Sequence, residues 1–243
     1  MAKRHGYLTR RNLLTRSLAL GGAAVASPFA NLFGQDSAAV NPAAASDASV
    51  LDQLRTNLHG KLFTPADAGF DVQRQLWNGM IDKRPLAIAQ CADAADVMNT
   101  VRFAREKDLP VSVRGGGHNV AGKALRDGAL AIDLSAMKGV RVDPGARTAR
   151  ARAGYTWADF DHQTTAFGLA TTGGTVSSTG SGLVLGGGLG WLMRKHGLSC
   201  DNLLSVDVVT ADGEFIIADE KENADLFWAV RGGGGNFGVV TSF

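Results

Sequence analysis

Four glycine clusters constrain this chain more than any other feature: Arg114-Gly115-Gly116-Gly117-His118, the stretch 173–182 (GGTVSSTGSG), 186–190 (GGGLG) and 232–238 (GGGGNFG). Without a Cβ, glycine can turn at positive φ or bring the backbone within contact distance of another group. Of the 31 glycines, 24 lie between Gly115 and Gly238. They have no Gly-x-y period, and with only 6 prolines in the chain collagen is excluded. With 45% apolar and 20% charged residues the chain is globular rather than disordered. Successive amides without side chains can form a nest for an anion such as pyrophosphate. A tight turn would explain any one cluster. Four of them joined by short strands point to a large, phosphate-bearing ligand.

The positive charge of the chain is concentrated at its start. Lys3, Arg4, Arg10, Arg11 and Arg16 precede the first acid, Asp36, so without the first thirty residues the formal charge falls from +2 to −3. The remainder is mildly acidic, which gives no footing for nucleic acid. Residues 1–30 read as an export signal: a basic region ending in Arg10-Arg11, a small-residue apolar stretch from Leu18 to Ala26, and Ala24-Val25-Ala26 as a cleavage site. The arginine pair followed by Asn12-Leu13-Leu14 resembles a twin-arginine signal, so a periplasmic or secreted location is expected. The apolar stretch is shorter than the ~20 residues that span a bilayer, so no stable membrane anchor is expected. Residues 31–50, rich in Ala, Ser and Asn, read as a flexible linker.

Periodicity then predicts an alternating and an antiparallel part. A helical lead-in over 51–80 should contain helices at Leu51–Leu58 and Asp71–Met80. Leu86–Gln90 is strand-like. Asp93 with Asp96 suggests a capping box for a helix that Pro110 terminates, and Val111–Val113 then runs into the first glycine loop. This strand–helix–strand unit suggests a parallel pair. Ala129–Leu134 is a further strand, Val140–Asp143 with Thr148–Ala153 a hairpin, Trp157–Phe167 a helix, and Val206–Thr210 with Phe215–Ala218 a hairpin across Asp212-Gly213. The fold class is α+β: two subdomains, a small parallel βαβ sheet and a larger antiparallel sheet with helices, together spanning 81–243.

Several familiar sites are excluded. There is no G-x-x-x-x-G-K-S/T loop. Gly233-x-Gly235-x-x-Gly238 fits the dinucleotide pattern formally, but Val239-Val240-Thr241 after it reads as a strand where that fingerprint requires a helix. Cys91 and Cys200 have neither metal-ligand nor disulfide-framework spacing. His59, His162 and His196 are scattered, with no carboxylate or thiol at ligand spacing, so no metal site is expected.

Four ordered blocks carry a resemblance: VSVRGGGHNVAG (111–122), AIDLSAMKGVRVD (131–143), GGGLGWLMRKHGLSCDNLLSVDVVTADG (186–213) and NADLFWAVRGGGGNFGVVTSF (223–243). Together they resemble the FAD-binding domain of the vanillyl-alcohol-oxidase/p-cresol-methylhydroxylase (PCMH-type) superfamily, and within it the berberine-bridge-enzyme-like FAD-linked oxidases. The lead-in WNGMIDKRP (77–85) also fits.

The resemblance implies FAD held between the two subdomains. Arg114, Gly115, Gly116, Gly117, His118 and Asn119 match the loop around the pyrophosphate, and His118 matches the histidine bonded covalently to the flavin 8α-carbon. Neutral imidazole is a competent nucleophile for that bond. Gly173, Gly174, Thr175, Gly180, Gly182, Gly186, Gly188 and Leu189 match the segment along the flavin and ribityl chain, and Gly238 and Val240 match a strand that meets the cofactor. Asp201 and Asn202 match a pair near FAD, with a turn cap as the alternative reading.

Some members add a second link through a cysteine. Here that stretch is Thr175-Val176-Ser177-Ser178, so only the histidyl attachment is expected. Gly180-Ser181-Gly182 is one residue shorter than the pattern. The implied activity is oxidation of a small-molecule alcohol, sugar or amine C–H, with dioxygen or another electron acceptor. The catalytic base and substrate contacts are expected in a second domain beyond Phe243. A flavin-binding remnant without turnover is the alternative, and an uncovered domain face should promote self-association.

Overall fold

The computed structural model describes residues 48–243. The export signal and most of the linker lie outside the described residues. The first described element, α1 (Ala48–Thr56), already begins inside the expected linker.

A four-stranded sheet comes first. Its strands are β1 (Lys61–Phe63), β2 (Ala87–Gln90), β3 (Val111–Arg114) and β4 (Leu130–Asp133), in the order β1-β2-β4-β3. β4 lies parallel to both β2 and β3, and β1 is antiparallel to β2. The expected direct pairing of β2 with β3 is therefore corrected: β4 is inserted between them. β2 and β4 read AIAQ and LAID and are buried on both faces, as a covered parallel sheet requires. On one face Leu54, Leu130, Ile132 and Val97 share a core, and on the other Phe70, Ile88, Leu125 and Ala131 do.

Helix α3 (Ala94–Glu106) links this sheet to the next. Val97, Val101 and Ala104 pack into the same core as Val209 and Val239 of the second sheet. Asp93 caps α3 by accepting from the Asp96 amide, but the box is not reciprocal. The Asp96 carboxylate instead accepts from the amides of His59, Gly60 and Ala92 and ties β1 to the helix start. The expected helix Asp71–Met80 shrinks to the single turn α2 (Phe70–Gln73). After it, Arg74 is drawn to Asp82 and the Lys83 carbonyl, and the Trp77 amide donates to Gly117 O at 3.3 Å. Tertiary contacts along the glycine loop outweigh local propensity there.

The second sheet is antiparallel. Hairpin β5 (Val140–Asp143)–β6 (Thr148–Ala151) joins the three-stranded set β8-β7-β9, where β7 is Ser205–Val209, β8 Phe215–Asp219 and β9 Val239–Ser242. The join is direct: Ala151 N–Phe243 O and Phe243 N–Ala151 O are both 2.8 Å, and Ala153 N–Thr241 O is 3.0 Å. The order is thus β5-β6-β9-β7-β8. Helix α4 (Trp157–Thr165) starts with a reciprocal capping box between Thr156 and Asp159. Short helices α5 (Gly182–Leu185) and α6 (Met193–His196) follow, and α7 (Ala224–Val230) packs Phe227 and Val230 against β7 and β8. Among the described residues no helix is long and apolar enough to cross a membrane.

Candidate functional site

The first glycine loop leaves β3 through Arg114, whose side chain is committed to the fold. Its guanidinium makes two bonds to Asp133, 3.1 Å to Oδ1 and 2.6 Å to Oδ2, and also reaches the carbonyls of Gln73 and Gln75. Asp133 is fully buried and accepts as well from Gln73 and from Ser135. Only the backbone of Arg114 is left for the loop surface.

Beyond Arg114 the loop offers donors. Among the described residues, none of the amide N–H groups of Gly115, Gly116, Gly117, His118 and Asn119 donates to a protein acceptor. Gly117 has φ +70, so the run curves. Successive free amides in a curved backbone are what a pyrophosphate nest consists of. The loop lies flat against residues 178–182: a Cβ on Gly116 would collide with the Gly180 backbone, and one on Gly180 with that of Gly116.

His118 sits at the end of this loop, between two elements far away in sequence. Its Nε2 is 3.0 Å from Ser178 Oγ. Its ring stacks on Trp77, centroids 4.9 Å apart and planes 23° from parallel. Partial burial pulls its pKa below the ordinary 6.5, which favours the neutral ring. Neither neighbour was visible in the sequence, where Trp77 belongs to a lead-in and Ser178 to a polar stretch.

The remaining expected residues divide by what surrounds them. Gly182 and Gly186 are exposed, and a Cβ there would meet no atom closer than 3.8 Å, so space for a ligand remains beside them. Thr175 and Leu189 are exposed in the same segment. Gly173 and Gly174 instead lie against the buried indole of Trp157, Gly188 lies against Ser199, and Gly190 against the Gly173 backbone. Gly238 (φ +136) is pressed on Val209, and Val240 is a core residue of β9. For these the fold itself accounts for the residue type. Asp201 accepts from the Leu198 amide, and Asn202 donates to the carbonyls of His196 and Leu198, so both act as turn caps. Both also border a cleft of about 550 Å³ lined by Tyr155, Trp157, Thr171 and Phe243, to which the 114–119 loop contributes nothing.

Two further groups bear on chemistry. His59, Asp93 and Asp96 converge to within 4.8 Å, an arrangement the sequence spacing did not suggest. The Asp96 oxygens are taken by three backbone amides and Asp93 caps α3, so the cluster works as a clamp on β1. Cys91 and Cys200 are buried free thiols, and burial pushes Cys91 up to about 12, which leaves it inert.

Comparison with known proteins identifies the family. A family model described as an FAD binding domain matches residues 85–219. The (R)-6-hydroxynicotine oxidase of Paenarthrobacter nicotinovorans is 42% identical over 186 residues, 76% of this chain and 41% of the relative. An FAD-linked oxidoreductase of Aspergillus terreus is 36% identical over 197 residues, 79% of this chain and 40% of the relative. Among solved structures, 6-hydroxy-D-nicotine oxidase of Arthrobacter nicotinovorans superposes with a TM-score of 0.75 at 42% identity, covering 76% of this chain and 41% of that one. Xylooligosaccharide oxidase of Myceliophthora thermophila, solved with xylobiose, gives 0.75 at 32% identity, covering 80% and 42%. The chain thus spans about two fifths of the length of the relatives it matches.

Proposed function

The chain belongs to the FAD-binding domain family, with FAD as its cofactor, and from that premise we propose that residues 81–243 are the cofactor-holding domain of an exported, covalently flavinylated oxidase or dehydrogenase. When bound, the flavin accepts a hydride from an alcohol, sugar or amine C–H of a small-molecule substrate and passes the electrons to dioxygen or another acceptor. The residues of this chain hold and orient that group. The amides of 115–119 bind the pyrophosphate, the open sides of Gly182 and Gly186 let the cofactor lie against the backbone, and His118 carries the flavin at its 8α-carbon. The observation that carries the reading is the run of five amides without a partner among the described residues, in the loop that also carries a partly buried imidazole held towards its neutral form.

The paired Arg10 and Arg11 support export in the folded, loaded state. Replacing both by lysine is expected to retain the protein inside the cell, which fractionation reads directly. Exposed Trp77, Met80, Val120, Trp191 and Trp228 support self-association of this chain where nothing covers them. Light scattering tests that, and a monodisperse monomer would contradict it.

The main test is a visible absorption spectrum of the purified chain before and after acid precipitation. A yellow pellet is expected, and His118→Ala should move the colour to the supernatant. Colour only in the parent's supernatant would retain the FAD site and remove the covalent bond. A colourless protein would overturn the site.

A further inference from the structure

We propose that Ser178 and Trp77 are positioning residues that select the ring nitrogen of His118 used for flavin attachment: Ser178 occupies Nε2, Trp77 fixes the ring plane, and Nδ1 is left as the nucleophile. The inference rests on the reading of His118 as the attachment point.

The geometry is specific. Nε2 lies 3.0 Å from Ser178 Oγ, while Nδ1 has no hydrogen-bond partner among the described residues. Gly116 and Gly180 are in backbone contact, so the loop bearing His118 and the loop bearing Ser178 cannot drift apart without losing that packing. On the other side the Trp77 amide holds Gly117 O while its indole covers the imidazole. The ring is therefore held by both neighbouring segments, and only one nitrogen remains open.

A hydroxyl is the group this step needs at Nε2. A serine hydroxyl pairs with Nε2 in either tautomer, and in the tautomer that attacks, Nε2 carries the proton and donates to Ser178 Oγ while the free lone pair lies on Nδ1. Attachment forms the bond from Nδ1 to the 8α-carbon. One 8α C–H proton and the Nε2 proton are released, and the electron pair of the broken C–H bond passes into the flavin ring. Dioxygen then takes both electrons with two protons, giving hydrogen peroxide and the oxidised, attached flavin. Afterwards Nε2 is an acceptor, and Ser178 reverses to donate. Neither a carboxylate nor an alanine can play both roles.

The test uses the full chain prepared without flavin and mixed with FAD in air. Covalent loading is followed by flavin fluorescence of the denatured protein, noncovalent loading by colour retained on desalting, and the attached nitrogen by NMR of the flavin peptide. The parent should load through Nδ1. Ser178→Ala should still take up FAD but load covalently about tenfold more slowly, the scale of one lost hydrogen bond. It should also give a mixture of Nδ1 and Nε2 adducts, and Ser178→Thr should restore both rate and a single adduct. Trp77→Phe keeps an aromatic face and should load near the parent rate, whereas Trp77→Ala should slow. Attachment through Nε2 in the parent, or an unchanged rate and single nitrogen in a folded Ser178→Ala, would overturn the proposal with the histidyl link intact. A parent that binds FAD and never loads covalently would instead remove the reading of His118 on which it rests.

Discussion

Two glycine segments in this molecule look alike in sequence and serve opposite purposes. In 115–119 the backbone offers donors: Gly116 is packed on the Gly180 backbone, but the five amides have no acceptor among the described residues, and the run turns at Gly117. In 173–174 and 188–190 the glycines clear the way for the protein itself, for the Trp157 indole, the Ser199 side chain and the neighbouring backbone. Glycine content alone therefore does not mark a ligand site. The informative quantities are what a Cβ would strike and whether the amide beside it already has an acceptor.

The largest effect should come from the anchor of the first segment. Arg114→Leu leaves the fully buried Asp133 without its cation and should destabilise the chain by about 3–5 kcal/mol, the usual consequence of breaking a buried pair. Thermal denaturation checks this, and a melting temperature near the parent's would mean that the pair does not anchor the loop. Gly173→Ala comes next. Its methyl would strike the six-membered ring of Trp157, which is buried and held by Tyr155 and Phe160, so relief requires the core to move. A loss of about 1–3 kcal/mol is expected from overpacking, with flavin binding weakened only as far as folding is. Flavin loss at full stability would place Gly173 on the cofactor and erase the contrast.

A smaller effect belongs to the cap that sets Trp157 in place. The Lys138 ammonium, aided by the Thr156 amide and hydroxyl, holds Asp159 down to about 2. A depressed carboxyl stabilises the fold fully above its ordinary 3.8 and loses that contribution as pH falls from 3.8 towards 2. Asp159→Asn should cost about 1 kcal/mol at neutral pH, as for a lost helix cap. The gap between variant and parent should close across that acid window. A constant gap down to pH ~2 would show that the charge of Asp159 contributes nothing.

Much of the fold was legible because its signals are local. β2 and β4 are unbroken apolar runs, α3 has its Asp93 cap and apolar face, and the Asp212-Gly213 turn has Gly213 at φ +76. Non-local pairing was not legible. β1 is only Lys-Leu-Phe and is a strand because the edge of β2 accepts it, and nothing in the residues of β4 announces that it enters between β2 and β3. The site divides in the same way. His118 and its glycines stand in one loop and could be read from it. Ser178 meets His118 across 60 residues, and the Arg114 side chain is turned inward to Asp133, which leaves only its backbone at the loop surface. Sequence names the residue types a loop contains, but it does not say which face of the loop each one uses.

Gly182 gives the sharpest version of the contrast because its effect on stability should be the smallest. It is exposed, no atom lies within 4 Å of where its Cβ would be, and it opens α5, where alanine is tolerated. Gly182→Ala should therefore change stability by no more than about 0.5 kcal/mol. If the cofactor lies against this backbone, the added methyl occupies its place, and FAD affinity should fall at least about tenfold while the apo-protein melts as before. Titration of flavin-free protein with FAD, paired with a melting curve, measures both. Unchanged affinity would move the flavin away from the start of α5. A loss of affinity at full stability would establish that the two kinds of glycine alternate within one segment, with Gly180 and Gly188 serving the fold on either side of Gly182 serving the cofactor.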